Sequence, residues 1–257
     1  MKIRIPALIA GAAIGSSILF ATVGTVGAAT PSMAGPSGKG VCAVEYAAVK
    51  TGATVARLQA FGNCEINRRF VTLTVLSDRI SSSKVMTSSD KSTLQSEIAS
   101  TRSGLTDLKT TIDGETSIPA LRADIVKIAT QFRVYLLVVP QVHLTNAADG
   151  VLATQSKFAT VNTNLAARIA ADNAAGKDTT AAQANLDAMN ASESAAVALA
   201  SPLPGQLLPL TPADYNAGTA SPILTTARTD LVKAVADVKT AVSDAKACRA
   251  ALKAIES

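Results

Sequence analysis

The stretch that decides the fold is the last one, SPILTTARTDLVKAVADVKTAVSDAKACRAALKAIES, residues 221–257. Apolar residues recur in it at alternating spacings of three and four over five uninterrupted heptads, a pattern typical of a long helix packed against a partner. The two seam positions hold Leu224, Leu231, Val238, Ala245 and Leu252, and Ala227, Ala234, Ala241, Cys248 and Ile255. Since Ser221 is a good N-cap and Pro222 suits the first turn, we expect a helix over residues 222–255.

The same helical period runs through most of the chain upstream. It predicts long helices with approximate bounds 44–83, 87–114, 117–176 and 178–200. Pro140 lies inside the apolar stripe of the third of these. Because proline lacks a backbone donor and its ring clashes with the preceding turn, we expect a kink there and not a stop.

These helices predict an all-α protein. We expect an elongated antiparallel helical bundle of about five to six helices with coiled-coil-like packing, in which the first and last long helices are neighbours. Residues 201–220 interrupt the pattern with four prolines but keep four leucines. This composition indicates an ordered apolar loop, which either caps the open end of the bundle or forms an exposed patch for a partner or a lipid surface.

The N-terminus has the pattern of an export signal. A short basic start is followed by an uncharged apolar stretch and by small residues up to Ala28, so residues 1–28 are interpreted as a cleaved signal peptide. The alternative is an uncleaved membrane anchor. Residues 29–40 are then a flexible leader and residues 41–257 a single helical-bundle domain. No further segment is expected to span a membrane, because the dense apolar run over residues 134–139 is too short.

The mature chain is only mildly basic. The full sequence carries 24 Lys and Arg against 19 Asp and Glu, and removal of residues 1–28 takes away Lys2 and Arg4, which leaves a net charge of about +3. This charge is too small to indicate a polyanionic partner, and no aromatic residues are interleaved with basic ones, so no nucleic-acid partner is expected.

Three cysteines invite a pairing argument, since exported proteins meet oxidising conditions. Cys42 and Cys64 would lie about 33 Å apart on one continuous helix, too far for a bridge. Cys64 and Cys248 lie on the two helices expected to be neighbours, so we predict a Cys64–Cys248 disulfide, with Cys42 either free or available to a partner chain. The alternative is that Cys64 and Cys248 are small core residues that never oxidise.

Chemistry-bearing motifs are scarce. The chain has one His and no Trp, and neither the spacing of a zinc site nor that of a phosphate loop occurs. We therefore expect no catalytic residues, no cofactor and no metal ligands.

One segment stands out, RVYLLVVPQVH at residues 133–143, which is apolar nearly all round. As a helix it would be buried on most sides, which places Arg133, Tyr135 and His143 near the core. A buried Arg133 would need a carboxylate, which Asp124, Asp149 or an acid on another helix could supply. These three residues form either a polar pocket beside the proline kink or the paired polar edges of a core helix, and the second interpretation is favoured.

Three short motifs carry a resemblance: EINRR at residues 65–69, RVY at 133–135 with Pro140 and His143, and TPADYN at 211–216. With them the chain resembles a group of exported all-helical proteins of ultrasmall, candidate-phylum bacteria. That group has no established activity, so the resemblance implies export and a helical fold and assigns no site residue.

Together these features predict an exported, non-enzymatic helical-bundle protein that acts at or outside the cell surface as a structural, adhesive or binding element, with an envelope or extracellular partner. A second hypothesis is a membrane-active protein that inserts residues 134–142 or 202–210. A third is an enzyme centred on His143.

Overall fold

The computed structural model describes residues 40–256, and every regular element in that range is a helix. The α-helices are α1 (Ala43–Thr51), α2 (Val55–Ser82), α3 (Ser88–Gly114), α4 (Ile118–Thr130), α5 (Val139–Leu152), α6 (Gln155–Ala174), α7 (Thr180–Ala200), α8 (Leu203–Leu207), α9 (Pro212–Asn216) and α10 (Ala220–Ala254), and a π-helix (Val134–Val138) leads into α5. The all-α prediction is confirmed, with seven helices of at least 13 residues where five to six were expected. The expected signal peptide and nearly all of the expected leader lie outside the described residues.

Helices α3 and α4 begin within one residue of their predicted bounds, 87 and 117, and each start is capped by a side chain. The side chains of Thr87 and Ser117 accept the backbone N–H groups of Asp90 and Ala120 at the starts of α3 and α4. Gly176, with φ +77°, follows the end of α6. The last helix begins two residues earlier than expected, at Ala220.

The helices bury their apolar faces in three clusters along the molecule. One lies among α2, α3 and α4 and takes in the π-helix; a second joins α5, α8 and the first half of α10; a third joins α6, α7 and the second half of α10. The expectation that the first and last long helices are neighbours is wrong, since α2 packs mainly on α3 and α4, and α10 mainly on α7. At 1.5 Å per residue, α10 is about 52 Å long, which lets it serve two clusters in succession.

The seam predicted for α10 is the buried face of that helix. All ten predicted positions are buried except the last, Ile255, which is half-buried. Small residues dominate the contact with α7, where Ala234, Ala241 and Ala245 share a cluster with Ala196 and Ala200. Because alanine has only a Cβ, the two backbones approach closely and the packing is continuous along the pair.

The loop over residues 201–220 is ordered, as predicted. It contains α8 and α9, and its leucines Leu203, Leu207 and Leu210 are buried against α5 and α10. These leucines therefore complete a core cluster and do not form an exposed patch.

The expected kink at Pro140 takes a different form. The chain leaves the α conformation at residues 131–133, where Arg133 has φ 45°, and continues through the π-helix into α5. Pro140 then occupies the first turn of α5. A π turn is wider than an α turn, so the proline is accommodated by a break upstream of it and not by a bend at it.

Among residues 40–256, one helical stretch is long and apolar enough to span a membrane. It covers Ile118–Ala174, has a mean hydropathy of 1.3 in its most apolar window, and 44% of that window is buried inside the protein. This finding qualifies the expectation that no later segment could span, although the core helix of a soluble protein meets the same criterion.

The predicted Cys64–Cys248 disulfide is wrong. Cys42 is bonded to Cys64, with Cα atoms 5.8 Å apart, and Cys248 is a free, buried thiol in the α6–α7–α10 cluster. The distance of about 33 Å expected between Cys42 and Cys64 assumed one continuous helix, but the helix is interrupted at residues 52–54. Thr54 caps α2 anew through its hydroxyl, and α1 folds back on α2.

Replacing Cys42 and Cys64 by Ser should lower the free energy of unfolding by about 3 kcal/mol, the loop entropy expected for a 22-residue separation. Urea unfolding of the oxidised protein and the double variant measures the difference. Cys248→Ser is the control. Reductant should change the stability of this variant by the same amount as it changes that of the parent. A non-reducing peptide map that links Cys248 to another cysteine would contradict the pairing.

The packing around Gly104 leaves no room for a larger side chain. A Cβ on Gly104 would lie 2.6 Å from Cε1 of Phe132, whereas a Cβ on Gly114 would meet nothing within 4 Å. Gly104→Ala should therefore destabilise the protein by about 1–3 kcal/mol through overpacking. Gly114→Ala should be neutral or slightly stabilising, and equal effects of the two substitutions in chemical denaturation would contradict this account.

Candidate functional site

The ring of Tyr135 contacts two arginines of α2. The guanidinium carbons of Arg68 and Arg69 lie 4.9 and 5.1 Å from the centre of its ring, and the Thr72 hydroxyl donates to its phenolic oxygen at 3.5 Å. Cation–π contacts of this kind strengthen when they are removed from water. They fix the π-helix, which carries Tyr135, against the middle of α2.

Glu65 supplies the negative charge for both arginines. Its Oε2 accepts from Arg68 Nε at 2.8 Å and from Arg69 Nη1 at 2.7 Å, and Arg69 Nη1 also donates to the Glu65 carbonyl at 2.8 Å. Arg69 is only 5% exposed, so its charge requires this partner. We call Glu65, Arg68, Arg69 and Tyr135 the arginine–tyrosine cluster; it carries one carboxylate against two guanidinium groups.

Arg133 joins the end of α4 to α9. Its Nε donates to Asn216 Oδ1 at 2.7 Å, its guanidinium lies 5.0 Å from the centre of the Tyr215 ring, and Asn216 Nδ2 donates to the Thr130 carbonyl at 2.8 Å. A capping box between Thr211 and Asp214 forms the first turn of α9. These contacts hold Arg133 in its left-handed conformation and satisfy a carbonyl at the end of α4.

No carboxylate among residues 40–256 forms an ion pair with Arg133. Asp124 binds Lys127 at 2.8 Å, and Asp149 accepts the backbone N–H of Thr87. Arg133 is half-buried, so water and the Asn216 amide solvate a charge that full burial would have forced into an ion pair.

His143 lies on the exposed side of α5. Arg79 Nη1 of α2 approaches its Nδ1 to 2.8 Å. Desolvation, and then the charge of Arg79, lower the pKa of His143, so the imidazole is neutral at pH 7 and accepts from Arg79. Arg133, Tyr135 and His143 thus have separate partners, although Tyr135 and His143 both contact α2.

Arg133, Tyr135 and His143 line neither of two cavities on the surface of the described residues. A cleft of about 160 Å³ beside the disulfide is lined by Cys42, Tyr46, Phe61, Glu65 and Arg68. An open groove of about 540 Å³ lies where α7 ends and α6 begins, lined by Gln155, Glu193, Ser194, Val197, Ala198, Ser201 and Pro202. Arg133, Tyr135 and His143 each have partners of their own, which agrees with the favoured interpretation of paired polar edges and not with a shared polar pocket. The cleft opens beside the arginine–tyrosine cluster, with which it shares Glu65 and Arg68.

Helix α5 has a buried polar face that the apolar pattern of its sequence does not predict. Gln141, Thr145 and Asp149 follow one another at spacings of four and are 0%, 0% and 2% exposed. Gln141 Nε2 donates to the Leu207 and Leu210 carbonyls at 2.9 Å each. Each of these three side chains keeps one oxygen without a partner among the described residues. The signal was present in the spacing, since a polar residue recurs every four positions in a stretch that is otherwise apolar.

Within residues 40–256 no group of three or more His, Cys, Asp or Glu side chains is placed to hold a metal ion. Burial raises the pKa of the Cys248 thiol, which keeps it protonated and unreactive. No protein-family model matches the chain, and the comparisons with curated proteins and with solved structures find no match either. The site is therefore interpreted from its own geometry alone.

Arg133 offers a test of backbone strain. Arg133→Ala and Arg133→Gly both remove the contacts to Tyr215 and Asn216, but glycine adopts a positive φ without steric cost. We expect the glycine variant to be more stable than the alanine variant by about 1 kcal/mol, with both below the parent protein. Urea denaturation measures the order, and an alanine variant at least as stable as the glycine variant would contradict the strained conformation.

Glu97 offers a test of pH dependence. This half-buried side chain of α3 has its pKa raised to about 7 by desolvation. The native state then binds a proton more tightly than the unfolded chain, so this contribution to stability is present below pH 4.5 and is lost as the pH rises through 7. Relative to the parent, Glu97→Gln should gain stability on going from pH 5 to pH 8, on the order of 1–3 kcal/mol.

Urea unfolding at several pH values measures this difference, with Glu193→Gln as the control. The Glu193→Gln variant should follow the pH profile of the parent. Parallel profiles for Glu97→Gln and the parent would show that Glu97 is not desolvated.

Proposed function

We propose that this is an exported, non-enzymatic helical-bundle protein that works at or outside the cell surface as a structural, adhesive or binding element. The Cys42–Cys64 disulfide is the observation that carries the proposal, because structural disulfides persist in oxidising compartments and are rare in the cytosol. The apolar, uncharged N-terminal stretch agrees with this, since it is typical of an export signal.

The arrangement of polar groups favours a structural or binding role over catalysis. Tyr135 and Arg133 serve contacts between helices, and the neutral His143 faces a cation, Arg79, where a catalytic imidazole is usually oriented by a carboxylate. The surface we assign to a partner in the envelope or medium is the disulfide cleft with the adjoining arginine–tyrosine cluster. There Tyr46 and Phe61, with ring centres 5.6 Å apart, lie close to Arg68.

Localisation tests the proposal. The full chain with a C-terminal tag is expressed in a bacterial host, cells are fractionated into cytoplasm, envelope and medium, and the intact mass of each form is measured without reductant. We expect the tagged chain in the envelope or medium, shortened by about 28 residues and lighter by two hydrogens for one disulfide. The matched control lacks residues 2–28 and should stay in the cytoplasm with reduced cysteines. Cytoplasmic accumulation of the full chain with reduced Cys42 and Cys64 would overturn the proposal.

Membrane activity is the second candidate. It is favoured by the apolar helical stretch Ile118–Ala174. Val134, Val138 and Val142 are buried in the α2–α3–α4 cluster, so insertion would require this cluster to open. Dye leakage from anionic liposomes, with and without reductant, decides between the candidates: leakage that rises when Cys42–Cys64 is reduced supports insertion, and intact liposomes under both conditions eliminate it.

A further inference from the structure

Asp149 is a buried carboxylate without a matching cation. It is 2% exposed, its Oδ2 accepts the Thr87 N–H at 3.2 Å, and its Oδ1 has no partner among the described residues. The half-buried Asp90 is the third residue of α3, and Thr87, which donates its N–H to Asp149, also accepts the Asp90 N–H through its Oγ1 at 3.1 Å, so the two carboxyl groups lie beside the same N-cap. Lys91 donates its ammonium to the Ser83 carbonyl at 2.6 Å and makes no ion pair here. Two carboxyl groups therefore meet at the start of α3 with no positive side chain between them.

A second buried oxygen without a partner lies on the same face of α5 as Asp149. Thr145 is fully buried, and its Oγ1 has no hydrogen-bond partner among the described residues. It lies one turn before Asp149 on the same face of α5, and side chains at this spacing have Cβ atoms about 5–6 Å apart. One ion can bridge this distance. Gln141 lies a further turn away, about 12 Å from Asp149 along the axis, and belongs to a separate contact with α8.

We propose that Asp149, Asp90 and Thr145 bind one hard divalent cation of the calcium type. Oxygen-only ligands exclude the soft metals that prefer thiolate or imidazole. Two carboxylates balance a double charge, and calcium accepts six to eight oxygens at adjustable angles, so water completes the shell on the half-buried Asp90 side. Magnesium demands a stricter octahedral geometry than one helix face and one helix start provide.

A bound cation compensates negative charge, which a buried water molecule cannot do. A buried water would satisfy the free oxygens of Thr145 and Asp149 but leave the two negative charges uncompensated. A proton shared between Asp90 and Asp149 is the competing solution, and it would neutralise only one charge. Binding of the cation would tie α5 to the start of α3 and so attach the N-terminal helices to the rest of the molecule.

Calcium binding to EDTA-treated protein at pH 7.5 tests the proposal, by titration calorimetry and by thermal unfolding. We expect one ion per chain and a rise in Tm of about 5–10 °C when calcium is about 100-fold above its Kd, with a smaller rise for magnesium. Absence of a calcium-dependent heat and of a Tm shift in the parent protein would overturn the proposal.

Variants locate the site. Asp149→Asn and Asp90→Asn should each lose the calcium-dependent shift, and Thr145→Val, which keeps the shape but removes the hydroxyl, should bind more weakly. Asp107→Asn removes an exposed carboxylate of the same α3 helix and should behave as the parent. Should Asp149→Asn not fold, Asp90→Asn decides. A full calcium response in Asp90→Asn, or a parent that is stabilised by acid and not by calcium, refutes the cation site.

Discussion

The packing of α10 against two successive sets of helices is the constraint on which the rest of the structure depends. Its first half buries Leu224 and Leu231 against α5 and α8, and its second half presents alanine to α7. Close approach of the α7 and α10 backbones substitutes for the area that larger side chains would bury, because dispersion contacts accumulate along the whole pair. The N-terminal helices make their principal core on their own and reach this frame through the π-helix and α5.

That junction explains why the irregular backbone lies where it does. Pro140 gives no N–H to the turn before it, and its ring would strike a carbonyl of a regular α-helix. The π turn widens the helix there, and the N–H of Val139 bonds the Val134 carbonyl, five residues back. The same turn directs Tyr135 toward Arg68 and Arg69 and follows directly on the left-handed Arg133. One backbone feature thus sets the position of two of the three polar residues that the sequence singles out in this segment.

The sequence predicts the buried faces well and the partners of those faces poorly. The seam of α10, from Leu224 to Leu252, follows from the helical period alone, and α3 begins within one residue of its predicted bound. The cap at Thr54 starts a new helix, but the apolar period continues across it and predicts one uninterrupted helix. On that continuous helix Cys42 would lie far from Cys64, which is why their disulfide was not predicted. The partners of Tyr135 and Arg133 lie far off in sequence, at Arg68 and Asn216, and no periodicity contains that information.

The few polar contacts in the interior have a role that the many apolar ones cannot fill. A seam of alanine and leucine with a heptad repeat packs almost equally well after a shift of seven residues, because each position meets a residue of similar size. The buried hydrogen bonds from Gln141 to the Leu207 and Leu210 carbonyls fix the segment that leads into α10 against α5, so a shift of α10 along α7 would break them and leave buried groups unsatisfied. The exposed hydrogen bond from Arg133 to Asn216 fixes the same segment against the residues that follow α4. The chain has one histidine and no tryptophan, and its few polar side chains limit its chemistry. The same side chains favour one helix register among several that bury a similar apolar area.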